Sequence, residues 1–164
     1  MNYKDWEANV PEAITGDTLW KMEAYRLALF SSDLAWHDVT RLMKDKRTLE
    51  LSAQLYEAVG SISANLAEGY SYGTGPNRAR MYEYALGSAR ESRDWYYKGR
   101  FILGEAVTLH RMALHTHIIR LVLTMIPQQR GRTLREEKAE YSVGKPLPSL
   151  EQLLEHVPLP ESLP

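Results

Sequence analysis

No cysteine occurs among the 164 residues, so the chain has no disulfide framework and no thiolate metal site. No run of 18 uncharged apolar residues is present, which excludes a membrane-spanning helix. The start, Met1-Asn-Tyr-Lys-Asp-Trp-Glu, lacks the charged-then-apolar order of a signal peptide, and a cytoplasmic location is the default expectation. No segment alternates apolar and polar residues with a period of two, so no sheet is expected. Glu-x-x-His is missing, and with it the signature of a di-metal carboxylate bundle. His110, His115 and His117 share a segment but have no carboxylate at chelating spacing, so they read as surface or interface histidines. Gly73-Thr-Gly-Pro76 has no Gly-Lys-Ser/Thr element and follows no strand, so it is no phosphate loop. Ser61, Ser63 and Ser88 lack the flanking pattern of a nucleophile elbow. No cofactor is implied.

What the chain does hold is helical periodicity. Residues 1–15 read as a loosely ordered lead-in. Residues 16–130 read as a four-helix bundle, and residues 131–164 as a Pro-rich tail. Asp17 is a candidate N-cap for the first helix, whose seam is Trp20, Ala24, Leu27, Ser31, Leu34, Asp38 and Leu42. A short charged connector, Lys44–Thr48, returns the chain antiparallel into a second helix over 49–71. Gly73–Pro76 stops it and starts a third helix over 77–103, with a seam of Met81, Ala85, Ser88, Ser92, Trp95, Gly99 and Ile102. Gly104 breaks that helix, and a fourth follows over 105–129, with Pro127 trimming its end. Its seam is Leu109, Met112, Leu114, Ile118, Leu121, Val122, Met125 and Ile126. The fold class is all-α, an antiparallel up-and-down bundle.

Helix two carries two seams. Leu55, Val59, Ile62, Leu66 and Gly69 form the apolar one. Beside it run Gln54, Ala58, Ser61, Asn65, Glu68 and Tyr72, too small and polar for an ordinary solvated face. A polar cluster between helices, or a contact with another copy, would account for them. Across the antiparallel hairpin Ser88 and Glu91 face the same level, with Arg90 and Arg93 as partners for a buried carboxylate. An acid–base pair of Glu68 and Glu91 is the enzymatic alternative; the residues favour a structural role.

Charge is unevenly spread. Residues 78–135 hold 11 Lys/Arg against 4 Asp/Glu, while residues 1–43 hold 4 against 7. Such a basic half can attract a polyanion, or it can balance an acidic neighbouring helix. The cations Arg78, Arg80, Arg93, Lys98, Arg100, Arg111 and Arg120, interleaved with Trp95, Tyr96, Tyr97 and Phe101, are the candidate nucleic-acid contacts, by phosphate pairing and stacking. In the tail, Ser149 and Gln152 make a capping-box pair ahead of an apolar face of Leu150, Leu153, Leu154 and Val157. A helix that short must dock on something to persist.

Gln54, Ala58, Ser61-Ile62 and Asn65-Leu66-Ala67-Glu68-Gly69, followed by Tyr84-Ala85-Leu86-Gly87-Ser88-Ala89-Arg90-Glu91, resemble the two motif blocks of a bacterial four-helix bundle family. That family includes proteins encoded by intervening sequences in 23S rRNA genes. Trp20–Ala28 resembles its opening helix. The resemblance spans roughly residues 18–127 and implies a small bundle assembling as a ring, usually a homopentamer, without catalysis. The accessory proteins of diversity-generating retroelements, which bind a reverse transcriptase and nucleic acid, are more distantly similar. Tyr56-Glu57 stand where the family often has two basic residues, which departs from its pattern at helix two. The expectation is therefore a non-enzymatic oligomeric scaffold for RNA or a nucleoprotein. The competing expectation is a protein-interaction adaptor that docks through its tail.

Overall fold

The computed structural model describes residues 2–130 and 147–161. Among them no strand occurs. The parts of the Pro-rich tail at 131–146 and 162–164 lie outside the described residues.

Residues 2–15 are more ordered than their composition announced. Helix α1 (Tyr3–Ala8) is capped by Asn2, whose side chain accepts from the Asp5 amide at 2.9 Å. Its Trp6 is buried, with ring centroids 5.1 Å from Phe30 and 6.1 Å from Trp20. The Trp6 indole N–H donates to Asp33 at 2.6 Å. One aromatic anchor and its hydrogen bond thus fasten the segment to the bundle. A single turn, α2 (Glu12–Thr15), follows. Asp17 does cap, but it caps a 3₁₀ turn over Thr18–Lys21 by accepting from Leu19 N at 2.8 Å. Met22 is extended, and the long helix α3 begins only at Glu23 and runs to Leu42.

A 3₁₀ turn at Lys46–Thr48, capped by Asp45, leads into α4 (Leu49–Ser71). Helix α5 spans Gly75–Lys98, with Pro76 in its first turn. The third helix is interrupted: Gly99 separates α5 from the four-residue α6 (Arg100–Leu103). Gly104 adopts φ 82°, a conformation other residues rarely take, and α7 (Glu105–Arg130) starts directly after it. Pro127 lies inside α7 instead of ending it. Helix α8 (Leu150–Glu155) carries the capping box read from Ser149 and Gln152.

The four long helices form a closed ring of neighbours, α3 against α4, α4 against α5, α5 against α7, and α7 back against α3. The α3 and α4 seams hold as read: Leu27, Leu34, Leu42, Leu55, Val59, Ile62 and Leu66 are buried. On the third helix Met81, Ala85, Ser92 and Gly99 are buried as read, but at two positions the next residue takes the inner place. Ala89 and Tyr96 are fully inside, whereas Ser88 and Trp95 are only partly covered. Gly69 lets α4 approach α5, because a Cβ there would lie 2.8 Å from the Tyr82 ring.

Candidate nucleic-acid interface

The second seam of α4 faces outward in the protomer. Gln54 and Glu68 are exposed, and Ser61 and Asn65 are half-buried. Each bonded member bonds along its own helix. Ser61 donates to the Glu57 carbonyl (2.8 Å), Asn65 to the Ser61 carbonyl (2.8 Å), and Tyr72 to Glu68 (3.0 Å). On α5, Ser88 is half-buried, and exposed Glu91 accepts from the Trp95 indole at 3.2 Å. The interhelical polar cluster expected from these residues is therefore not what sets register within one chain. Glu68 and Glu91 are engaged separately, one turn along their own helices, and nothing focuses them on a shared point. Glu68, Tyr72, Asn77, Arg80, Met81 and Tyr84 line a shallow groove at the α4–α5 turn.

Register is set elsewhere, by a buried network that the sequence did not announce. Arg111, one of the proposed nucleic-acid contacts, is fully buried and must be removed from any surface. Its Nε donates to Asp38 Oδ2 at 2.7 Å and its Nη2 to Asp38 Oδ1 at 3.1 Å. Tyr96 donates to the same carboxylate at 2.9 Å. Asp38, Tyr96 and Arg111 come from α3, α5 and α7, so one ion pair ties three helices together. A guanidinium only donates, so Arg111 Nη1 at 2.9 Å requires His110 Nδ1 to accept. His110 Nε2 then donates to the Leu153 carbonyl at 2.8 Å. His115 Nδ1 donates to the Arg111 carbonyl (2.8 Å), leaving its Nε2 to accept from Ser31 (3.2 Å). Both rings are neutral: burial lowers His110 and His115 to about 4, from the ordinary 6.5. Burial likewise raises the Tyr96 phenol well above its ordinary value. These histidines are core groups, not the surface groups their spacing suggested. The one signal of the arrangement in the sequence is Asp38, with Ser31, on a mainly apolar seam.

The same network holds the tail. Arg111 Nη2 donates to the Pro158 carbonyl at 2.9 Å, and His117 Nε2 to the Pro148 carbonyl at 3.1 Å. Leu153 is buried, and Leu150, Leu154 and Val157 pack on the core. The apolar face of α8 is thus occupied by its own bundle.

The remaining cations do not form one patch. Arg78 Nε donates to the Tyr72 carbonyl (2.6 Å) and braces the α4–α5 turn. Arg80 is exposed near it, bonded to Tyr84 at 3.0 Å. Lys98 lies eighteen residues further along α5, about 27 Å away. There Lys98 pairs with Asp94 (2.6 Å) and sits 4.1 Å from the Trp95 ring centroid. Arg100 lies 4.1 Å from the centroids of both Tyr97 and Phe101. Arg93 reaches across to Thr116 of α7 at 3.2 Å, and Arg120, one turn beyond Thr116, is exposed. Of these cations Arg93 alone bonds across to α7, while Arg100 keeps company with the exposed rings of Tyr97 and Phe101.

Among the described residues no helix is long and apolar enough to cross a membrane, and no group of three or more His, Asp or Glu is placed to hold a metal ion. No curated protein and no solved structure matches the chain. Residues 21–101 do match a family, the stretch from the last residue of the 3₁₀ turn through α3, α4 and α5 into α6. That stretch, which carries both motif blocks, matches the 23S rRNA-intervening sequence protein family.

Proposed function

We propose that this protein is a non-enzymatic oligomeric scaffold, a ring of several copies, that binds an RNA or nucleoprotein partner. The observation that carries the reading is the division of surface around α5. Toward α4 lies a face of small polar side chains: Ser61 and Asn65, each bonded to a carbonyl of its own helix, and half-buried Ser88. Away from it lie Arg93, which reaches across to Thr116 of α7, exposed Arg120 on α7, and Arg100 at α6 with the exposed rings of Tyr97 and Phe101. Copies meeting through the first face would repeat the second around the ring. Repetition turns weak phosphate contacts into avidity without any new contact. A fivefold ring and a reverse-transcriptase-type partner rest on the family resemblance.

Filter binding to structured RNA at increasing salt tests the reading, because phosphate contacts release counterions and the affinity should fall steeply. The paired charge reversals Arg93→Glu and Arg100→Glu should abolish binding. Binding that survives both reversals would remove this surface.

A further inference from the structure

Phe101 is the most exposed large apolar residue among those described, at 81%, and Tyr97 is 51% exposed. Neither ring belongs to the core, where Tyr96 is buried and Trp95 packs in part. The Arg100 guanidinium lies 4.1 Å from each ring centroid, and its Nη1 donates to the Tyr97 carbonyl at 2.8 Å. A guanidinium has five N–H groups, so most of the fork stays available to an acceptor. The unit also sits on a fixed break in the backbone. Gly99 packs against Leu42, where an added Cβ would lie 3.3 Å from the leucine side chain, and Gly104 at φ 82° ends the short α6.

Resting on the RNA-binding reading above, we infer that Tyr97, Arg100 and Phe101 form a stacking platform for unpaired nucleotides, so that the RNA held here is single-stranded. In an A-form duplex the base faces are stacked on one another, and a protein surface meets phosphates, ribose hydroxyls and base edges but no free π face. Two exposed rings would gain nothing from such a ligand. An unpaired base offers a π face to a ring while its phosphate meets the guanidinium edge.

The test is fluorescence anisotropy of the full chain with a labelled oligouridylate and with an RNA duplex of the same length. The single strand should bind more tightly. Phe101→Ala should weaken it roughly 5- to 100-fold while leaving the duplex affinity and the salt slope unchanged. Phe101→Leu, which keeps apolar bulk without a π face, should be nearly as weak. Melting should be unaffected, since the ring is outside the core. Equal affinity for the two probes, or a single-strand affinity indifferent to Phe101→Ala, overturns the platform while leaving RNA binding standing. A Phe101→Ala chain that loses its assembly assigns the ring to a contact between copies and also overturns it. Failure of both probes to bind removes the RNA reading itself, and the platform with it.

Discussion

Replacing Asp38 with alanine should be among the most damaging single changes available to this bundle. The carboxylate takes two N–H groups of Arg111 and the hydroxyl of Tyr96, and both ionic side chains are fully buried. Its loss leaves a guanidinium inside the core without a counter-charge. Breaking a buried pair from one side costs about 3–5 kcal/mol, most of it the uncompensated charge. For a chain of this length that corresponds to a fall in Tm of roughly 6–20 °C. Thermal denaturation followed by circular dichroism measures it directly. The double variant Asp38→Leu with Arg111→Met removes both charges and should recover about 2 kcal/mol or more of the loss, because an apolar pair of similar volume replaces the ionic one. Asp38→Ala within about 1 kcal/mol of the parent would refute the claim that this pair fixes the register of α3, α5 and α7.

Acid should weaken the fold through His110 and His115. Each is lowered to about 4 in the native state, so between pH 6.5 and 4 the unfolded chain binds the extra protons and stability drops as pH falls. The loss reaches about 3 kcal/mol for each ring and is complete near pH 4; urea midpoints across that range check it, and His115→Gln should flatten the profile. Gly69→Ala should cost about 1–3 kcal/mol, because its Cβ would lie 2.8 Å from the Tyr82 ring, with denaturant unfolding as the readout. Leu153→Asp should release the tail, seen as faster amide exchange over residues 150–155 while α3, α4 and α5 stay protected. Unchanged exchange there would mean that Leu153 does not anchor α8.

Periodicity made the long helices legible, and even placed Ser31 and Asp38 on the buried seam of α3. It failed where several residues suit any face. Trp95, Tyr96 and Tyr97 are consecutive aromatics, and only packing decides that the middle one goes inside. Arg111 was misread for a different reason: its partner lies 73 residues away, and a buried arginine has no local signature. The order in residues 2–15 depends on Trp6 finding Phe30 and Asp33, again a distant contact. Gly99 shows the opposite limit, since a glycine in a small-residue seam reads as close packing and gives no sign that the helix ends there. The tail helix was readable from its cap and leucines, but its seat on α7 was not, because main-chain carbonyls accept most of the contacts.

The account turns on whether Ser61, Asn65 and Ser88 of one copy are covered by another. Multi-angle light scattering of the full chain at micromolar concentration answers that most directly. The prediction is a particle several times the 18.8 kDa protomer mass, reduced to a single protomer by Ser61→Arg with Asn65→Arg. A well-folded particle of 18.8 kDa for the unaltered chain would contradict it.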